Sequence, residues 1–189
     1  MSLSVVSWNV NSVRARLDRV TSWIDANKPD VLCLQELKVE QKAFPFDAFR
    51  ERGYHVHATF QRTYNGVGIA SRVPLGAPSI GLDDGVDDTQ ARIVSGTIAG
   101  VRVISCYVPN GQSVDSDKYV YKLAWMKRLR AYLDRHHTPE EKLLVCGDFN
   151  VAPEERDVHD PNVWSRSTLF HQTSRDALAH ILDFGLVDI

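Results

Sequence analysis

A mixed α/β fold, with two sheets packed face to face and helices outside, is what this sequence predicts. Three observations carry that reading. Short apolar runs of strand length are interleaved with helix-period patterns along the chain. Two stretches, residues 54–70 and 93–108, read as antiparallel hairpins. A length of 189 residues with 43% apolar content suits one domain, spanning residues 1–189, with a sizeable core.

The elements follow in order. Residues 3–10 read as a strand with β-branched residues in its middle. Residues 16–27 read as a helix: Leu17, Val20 and Ile24 fall at i, i+3 and i+7, and Pro29 lies just beyond. Residues 31–34 form a second short apolar run, closed by Gln35 and Glu36. Residues 54–60 alternate apolar and polar, and 66–70 follow the turn-like Thr63-Tyr64-Asn65-Gly66. Residues 74–88, rich in Pro, Gly and Asp, read as loop with room for one short strand. Residues 93–98 and 101–108 flank a tight turn at Ala99-Gly100. The longest helix covers 116–136, with Tyr119, Leu123, Met126, Leu129 and Leu133 as its apolar stripe. Lys118 and Lys122 on that helix read as a solvated face, with phosphate contact as the alternative. Residues 143–146 form a central strand, ended by Gly147. A loop over 153–164 precedes a last helix at 174–184, with Ser174 as N-cap and Gly185 at the C-terminal cap. Residues 185–189 read as the opening of a further strand.

Composition narrows the function classes. The net charge of −2 disfavours a purely electrostatic nucleic-acid binder. It remains compatible with a nuclease that grips a backbone locally and keeps acidic metal ligands elsewhere. The three cysteines, Cys33, Cys106 and Cys146, each sit in an apolar run and form no C-x-x-C pair. That pattern reads as buried, reduced thiols rather than a disulfide frame or zinc site. No apolar run approaches the ~18 residues of a membrane span. The N-terminus has no basic region ahead of an apolar one, so a cytoplasmic location is expected.

The chemistry-bearing residues gather after apolar runs. Asn9 ends the first, Glu36 the second and Tyr107 the strand before Pro109. Asp148 and Asn150 end the central run 143–152, Leu-Leu-Val-Cys-Gly-Asp-Phe-Asn-Val-Ala. In extended geometry residues i and i+2 face the same way. Gly-Asp-Phe-Asn is also ordinary turn composition, and each residue has a bland alternative as a backbone-bonded Asn, a surface charge or a core aromatic. If the strands are neighbours, one rim gathers two carboxylates, two carboxamides and a phenol. Hard oxygen ligands of that kind suit Mg²⁺ or Mn²⁺ and metal-assisted phosphodiester hydrolysis.

Trp8-Asn9-Val10-Asn11, Leu34-Gln35-Glu36-Leu37-Lys38, Gly66-Val67-Gly68-Ile69, Tyr107-Val108-Pro109-Asn110-Gly111 and Gly147-Asp148-Phe149-Asn150 together resemble the successive motifs of the exonuclease III and AP (apurinic/apyrimidinic) endonuclease family. The resemblance runs in order along the whole chain. It implies the DNase I-like four-layer α/β sandwich and Mg²⁺-dependent (or Mn²⁺-dependent) hydrolysis of DNA at abasic sites and 3′ ends. By the same resemblance, Glu36 and Asn9 are the metal-side residues, and Tyr107 contacts the scissile phosphate. Asp148 orients or deprotonates the attacking water, and Asn150 steadies that aspartate and the phosphate. Arg92 and Asn110 are expected DNA contacts. Family members continue past the position of Ile189 with an Arg-Ile-Asp segment and a Ser-Asp-His motif. None of the seven histidines here follows Ser-Asp. The expectation is therefore a C-terminally truncated domain with an incomplete second sheet. The alternatives are a catalytically incomplete remnant that binds DNA or a partner, and a phosphodiesterase of the same superfamily acting on another phosphodiester.

Overall fold

A computed structural model describes residues 2–189. The chain forms two compact units. The first runs through Tyr107 and resumes over Lys142–Asp148; the second comprises Val108–Glu141 and Phe149–Ile189.

The first unit holds eight strands among the described residues, in two four-stranded mixed sheets. Strands β1 (Val5–Asn9), β2 (Val31–Gln35), β3 (His55–Thr59) and β4 (Val67–Ser71) form one sheet in the order β1-β2-β4-β3. Strands β5 (Gly76–Ile80), β6 (Ile93–Ile98), β7 (Val101–Tyr107) and β8 (Leu143–Asp148) form the other in that order. Each sheet carries one parallel pair at its edge, β1 with β2 and β7 with β8. A parallel pair needs a crossover between its strands. Helix α1 (Leu17–Asn27) lies on the first crossover, and α3 (Asp117–His136) lies on the second.

Strand β2 is buried along its whole length, and its residues part by the strand period of two. Leu32 and Leu34 join α1 (Val20, Ile24), α2 (Phe46–Arg50, through Phe49) and Tyr54 in an outer core. Val31 and Cys33 face the other way, into an inner core with Val67, Ile69, Val94, Ile98 and Val103. The second sheet packs on the first through that inner core. Cys33 and Cys106 are buried free thiols, as expected, whereas Cys146 on the edge strand β8 is partly exposed.

In the second unit α3 packs on α5 (Gln172–Leu182), and a one-turn helix α4 (Pro161–Trp164) precedes α5. Ser116 caps α3 by accepting the Tyr119 N–H at 3.2 Å.

Several boundaries move from the sequence reading, for local reasons. The α5 cap is His171, which accepts the Thr173 N–H at 3.3 Å. Ser174 sits a turn inside and is buried, with its hydroxyl donating to the Thr168 carbonyl at 2.8 Å. Helix α2 gave too short a pattern to be read. The apolar stripe of α3 is shifted, because Lys122, Trp125 and Tyr132 are buried where Leu123 is only partly so. Residues 186–189 carry no regular structure.

Gly147 sits inside β8 opposite Cys106, at φ +145°. A Cβ there would fall 1.9 Å from the Cys106 carbonyl oxygen, a backbone atom that cannot step aside. Gly147→Ala is expected to destabilise the fold by about 3 kcal/mol or more, from combined strain and clash. Urea unfolding of the two proteins checks this, and equal midpoints would refute it.

Candidate active site

The carboxyl ends of β1, β2, β7 and β8 meet at one end of the first unit. Both parallel pairs run toward that end, which is where open α/β sheets present their ligand sites. Asn9 is the last residue of β1, Glu36 follows β2, Tyr107 ends β7 and Asp148 ends β8.

The Asn9 carboxamide nitrogen donates to Glu36 Oε1 and to Asp148 Oδ2, each at 2.8 Å. Its own oxygen accepts the Asn11 N–H at 3.0 Å, which fixes the orientation of the amide. Tyr107 donates its phenol to Glu36 Oε1 at 3.0 Å. Lys38 Nζ pairs with Glu36 Oε2 at 2.6 Å and donates to Asn11 Oδ1 at 2.6 Å. Glu36 itself has a left-handed backbone, φ +55°. Hydrogen bonds from Ser12 N–H to its carbonyl (2.7 Å) and from Leu37 N–H to the Gly66 carbonyl (3.0 Å) hold that conformation.

These contacts set the protonation states. Burial works to raise the Glu36 pKa, but the donors Asn9, Lys38 and Tyr107 and the Lys38 charge outweigh it, and the carboxyl lies below its ordinary range. Tyr107 is shifted far above the ordinary phenol range. Burial is the largest cause, followed by the negative charge of Glu36 and the hydrogen bond to it, with Arg92 opposing. The phenol is therefore a neutral donor at any physiological pH.

Arg92 is only 8% exposed. Its guanidinium lies over the Tyr107 ring, 5.0 Å from the centroid, and donates to the Tyr107 carbonyl (3.0 Å) and to Gln90 Oε1 (2.7 and 2.9 Å). Little of its surface is left for an outside phosphate; what it touches is the catalytic-candidate tyrosine. Asn110 and Asn150 belong to the second unit, where Asn110 Nδ2 donates to Asn150 Oδ1 at 3.1 Å and Asn150 Nδ2 donates to the Val108 carbonyl at 2.9 Å.

Among the described residues, no three His, Cys, Asp or Glu side chains converge as a metal cage. Mg²⁺ does not need one, since it is commonly held by one or two carboxylates with water and substrate phosphate completing its shell. Glu36, with the Asn9 amide against it, is a donor set of that kind. The Lys38 ammonium lies 2.6 Å from Glu36 Oε2 and favours the anionic form of the carboxylate.

The sequence pattern carries no sign of the Lys38 contact, nor of the place of Arg92 against Tyr107. Lys38 lies inside the Leu-Gln-Glu-Leu-Lys motif but carried no signal of its ion pair. The stacking of Arg92 on Tyr107 depends on the β6–β7 register, which local pattern does not reveal.

Residues 6–184 match the model of the Endonuclease/Exonuclease/phosphatase family. The chain is 28% identical to exodeoxyribonuclease III of Haemophilus influenzae, over 98% of this chain and 74% of that protein. Among solved structures it resembles an AP endonuclease from Archaeoglobus fulgidus, with 43% identity, a TM-score of 0.92, and coverage of 96% of this chain and 70% of that one. A 3′ phosphatase from Neisseria bound to a product DNA hairpin gives 37% identity and a TM-score of 0.91, over 97% and 71% of the two chains. The mixed α/β architecture of two packed sheets with helices is the DNase I-like fold of these proteins.

Because the Asn9 amide lowers the Glu36 pKa, its removal should raise it. In Asn9→Ala the Glu36 carboxyl is expected to titrate at higher pH than in the wild type, read by carboxyl ¹³C NMR. The sign for stability follows. A depressed carboxylate contributes stability above its unfolded pKa and loses it as pH falls through the folded value, so the variant should lose that contribution at a higher pH. An unmoved titration would dismiss Asn9 as the anchor of the pair.

Proposed function

The chain belongs to the endonuclease/exonuclease/phosphatase family, and we propose on that basis that it is a DNA-repair phosphodiesterase of the exonuclease III and AP endonuclease type. Its substrate is duplex DNA, cut at the phosphate 5′ to an abasic site or trimmed at 3′ ends. The observation that carries this reading is the single amide of Asn9 joined to both Glu36 and Asp148 at 2.8 Å. That contact assembles a hard, anionic oxygen site at the strand ends, with a neutral phenol beside it. The relatives supply the substrate class, since their names describe exodeoxyribonuclease III and AP endonuclease.

Glu36, with Asn9 beside it, is the residue pair that would hold Mg²⁺ or Mn²⁺. The bound ion would screen the charge of the scissile phosphate and polarise it. Asp148 is placed to accept a proton from the attacking water, and the Asn9 bond to Oδ2 holds its carboxylate in one orientation. Tyr107, kept protonated by burial and by Glu36, is a donor for a phosphate oxygen as negative charge builds there. Arg92 supports Tyr107 from behind rather than gripping DNA itself. By the family resemblance Asn150 and Asn110 would serve the phosphate and the DNA backbone; within the second unit they hydrogen-bond to each other.

The test is incision of a duplex oligonucleotide with one abasic site, by this chain, with Mg²⁺ and with EDTA. Cutting is expected only with the metal and on the 5′ side, leaving a 3′-hydroxyl. Asp148→Asn should lower kcat by about 10²–10⁴-fold, the range of a lost general base. Glu36→Gln should raise the Mg²⁺ concentration needed for half-maximal rate. A folded wild-type chain that shifts the duplex in a gel without cutting it would replace hydrolysis by binding alone.

A further inference from the structure

Lys122 lies on α3 and is fully buried, at 0% exposure. This corrects its reading as part of a solvated face. Its ammonium donates to three main-chain carbonyls, those of Asn150 (2.6 Å), Thr168 (2.8 Å) and Asn110 (3.4 Å). Those oxygens come from three loops far apart in sequence. An ammonium has three donors and no acceptor, so one side chain can clamp three strands of backbone at once. Burying a charge is costly, and an apolar residue would fill the same space more cheaply. A buried ammonium here implies that the loops must be held in one geometry.

Two of the three loops carry the candidate carboxamides. Asn150 is left-handed, φ +50°, a conformation that asparagine adopts more readily than most residues. Lys122 holds its carbonyl, while its side chain bridges Val108 and Asn110. Gly111 lies hard against the lysine stem at φ +92°, where a Cβ would come within 3.2 Å of Lys122 Cδ. Lys122 therefore grips the backbone on both sides of the Asn110–Asn150 hydrogen bond.

We propose that Lys122 is a positioning residue, which acts through the carbonyls of Asn110 and Asn150 to fix both carboxamides for phosphodiester hydrolysis. This rests on the hydrolytic reading above, and the test separates the two. Lys122→Met keeps the volume of the stem and removes the donors; Lys122→Arg restores donors. In folded Lys122→Met, solvent exchange of the Asn110 and Asn150 side-chain amides, followed by ¹⁵N NMR, is expected to quicken at least tenfold. The kcat for abasic-site incision should fall about 100-fold, the scale of an ångström of misplacement, with KM changed less than threefold. Lys122→Arg should recover part of both. Unchanged amide exchange in a folded Met variant would overturn the proposal. So would an unchanged kcat, or failure of both variants to fold, which would make Lys122 a folding residue. If the wild type itself does not cut DNA, the hydrolytic reading fails, while the exchange measurement still decides whether Lys122 positions the two amides.

Discussion

Two carboxylates cannot share a strand end without something to hold them there. Glu36 and Asp148 come from different sheets and carry like charges, which repel most strongly where water is scarce. The Asn9 carboxamide answers this with its two N–H groups, one for each acid. The amide cannot turn over, because its oxygen would then face both anions and lose the Asn11 N–H. Asn9 thus sets the distance between the acids, their rotamers and the side from which a cation can approach.

The rest of the site is balanced around that pair. Lys38 supplies positive charge on the far oxygen of Glu36, and Arg92 supplies it behind the Tyr107 ring. Tyr107 sits between a carboxylate that favours its neutral form and a guanidinium that opposes this, and burial settles the matter in favour of the phenol. A carboxylate anion and a neutral phenol are thereby kept side by side without exchanging a proton. That separation of neighbouring titratable groups by environment is what acid–base chemistry at neutral pH requires.

The architecture was legible in the sequence because the strands announce themselves. The Ile93–Ile98 strand and its Ala99-Gly100 turn fall where the pattern puts them, and α1 ends just before Pro29. The polar residues after apolar runs were also readable, since Asn9, Glu36, Tyr107 and Asp148 interrupt patterns that are otherwise continuous. What was not readable were interactions that depend on pairing and depth. Lys122 looks like any helix-surface lysine, because helical period does not say which neighbours will cover it. Arg92 looked available for a phosphate, because local sequence does not reveal that Ile93 pairs with Cys106 and so sets the arginine over the tyrosine. Ser174 suited a cap, yet the tertiary contact with Tyr119 and Thr168 took its hydroxyl instead.

The hydrogen bond from Asn9 to Asp148 spans 139 residues of chain. On the ribosome, the first half of the site is made long before the second, and the outer core around α1 and β2 can form while β8 is still unsynthesised. Until Asp148 emerges, the Asn9 amide has only Glu36 to hold. A growing polypeptide therefore carries a tyrosine, a glutamate and a lysine in place but no aspartate to take a proton. Any hydrolytic competence of the site would then switch on only once β8 has emerged.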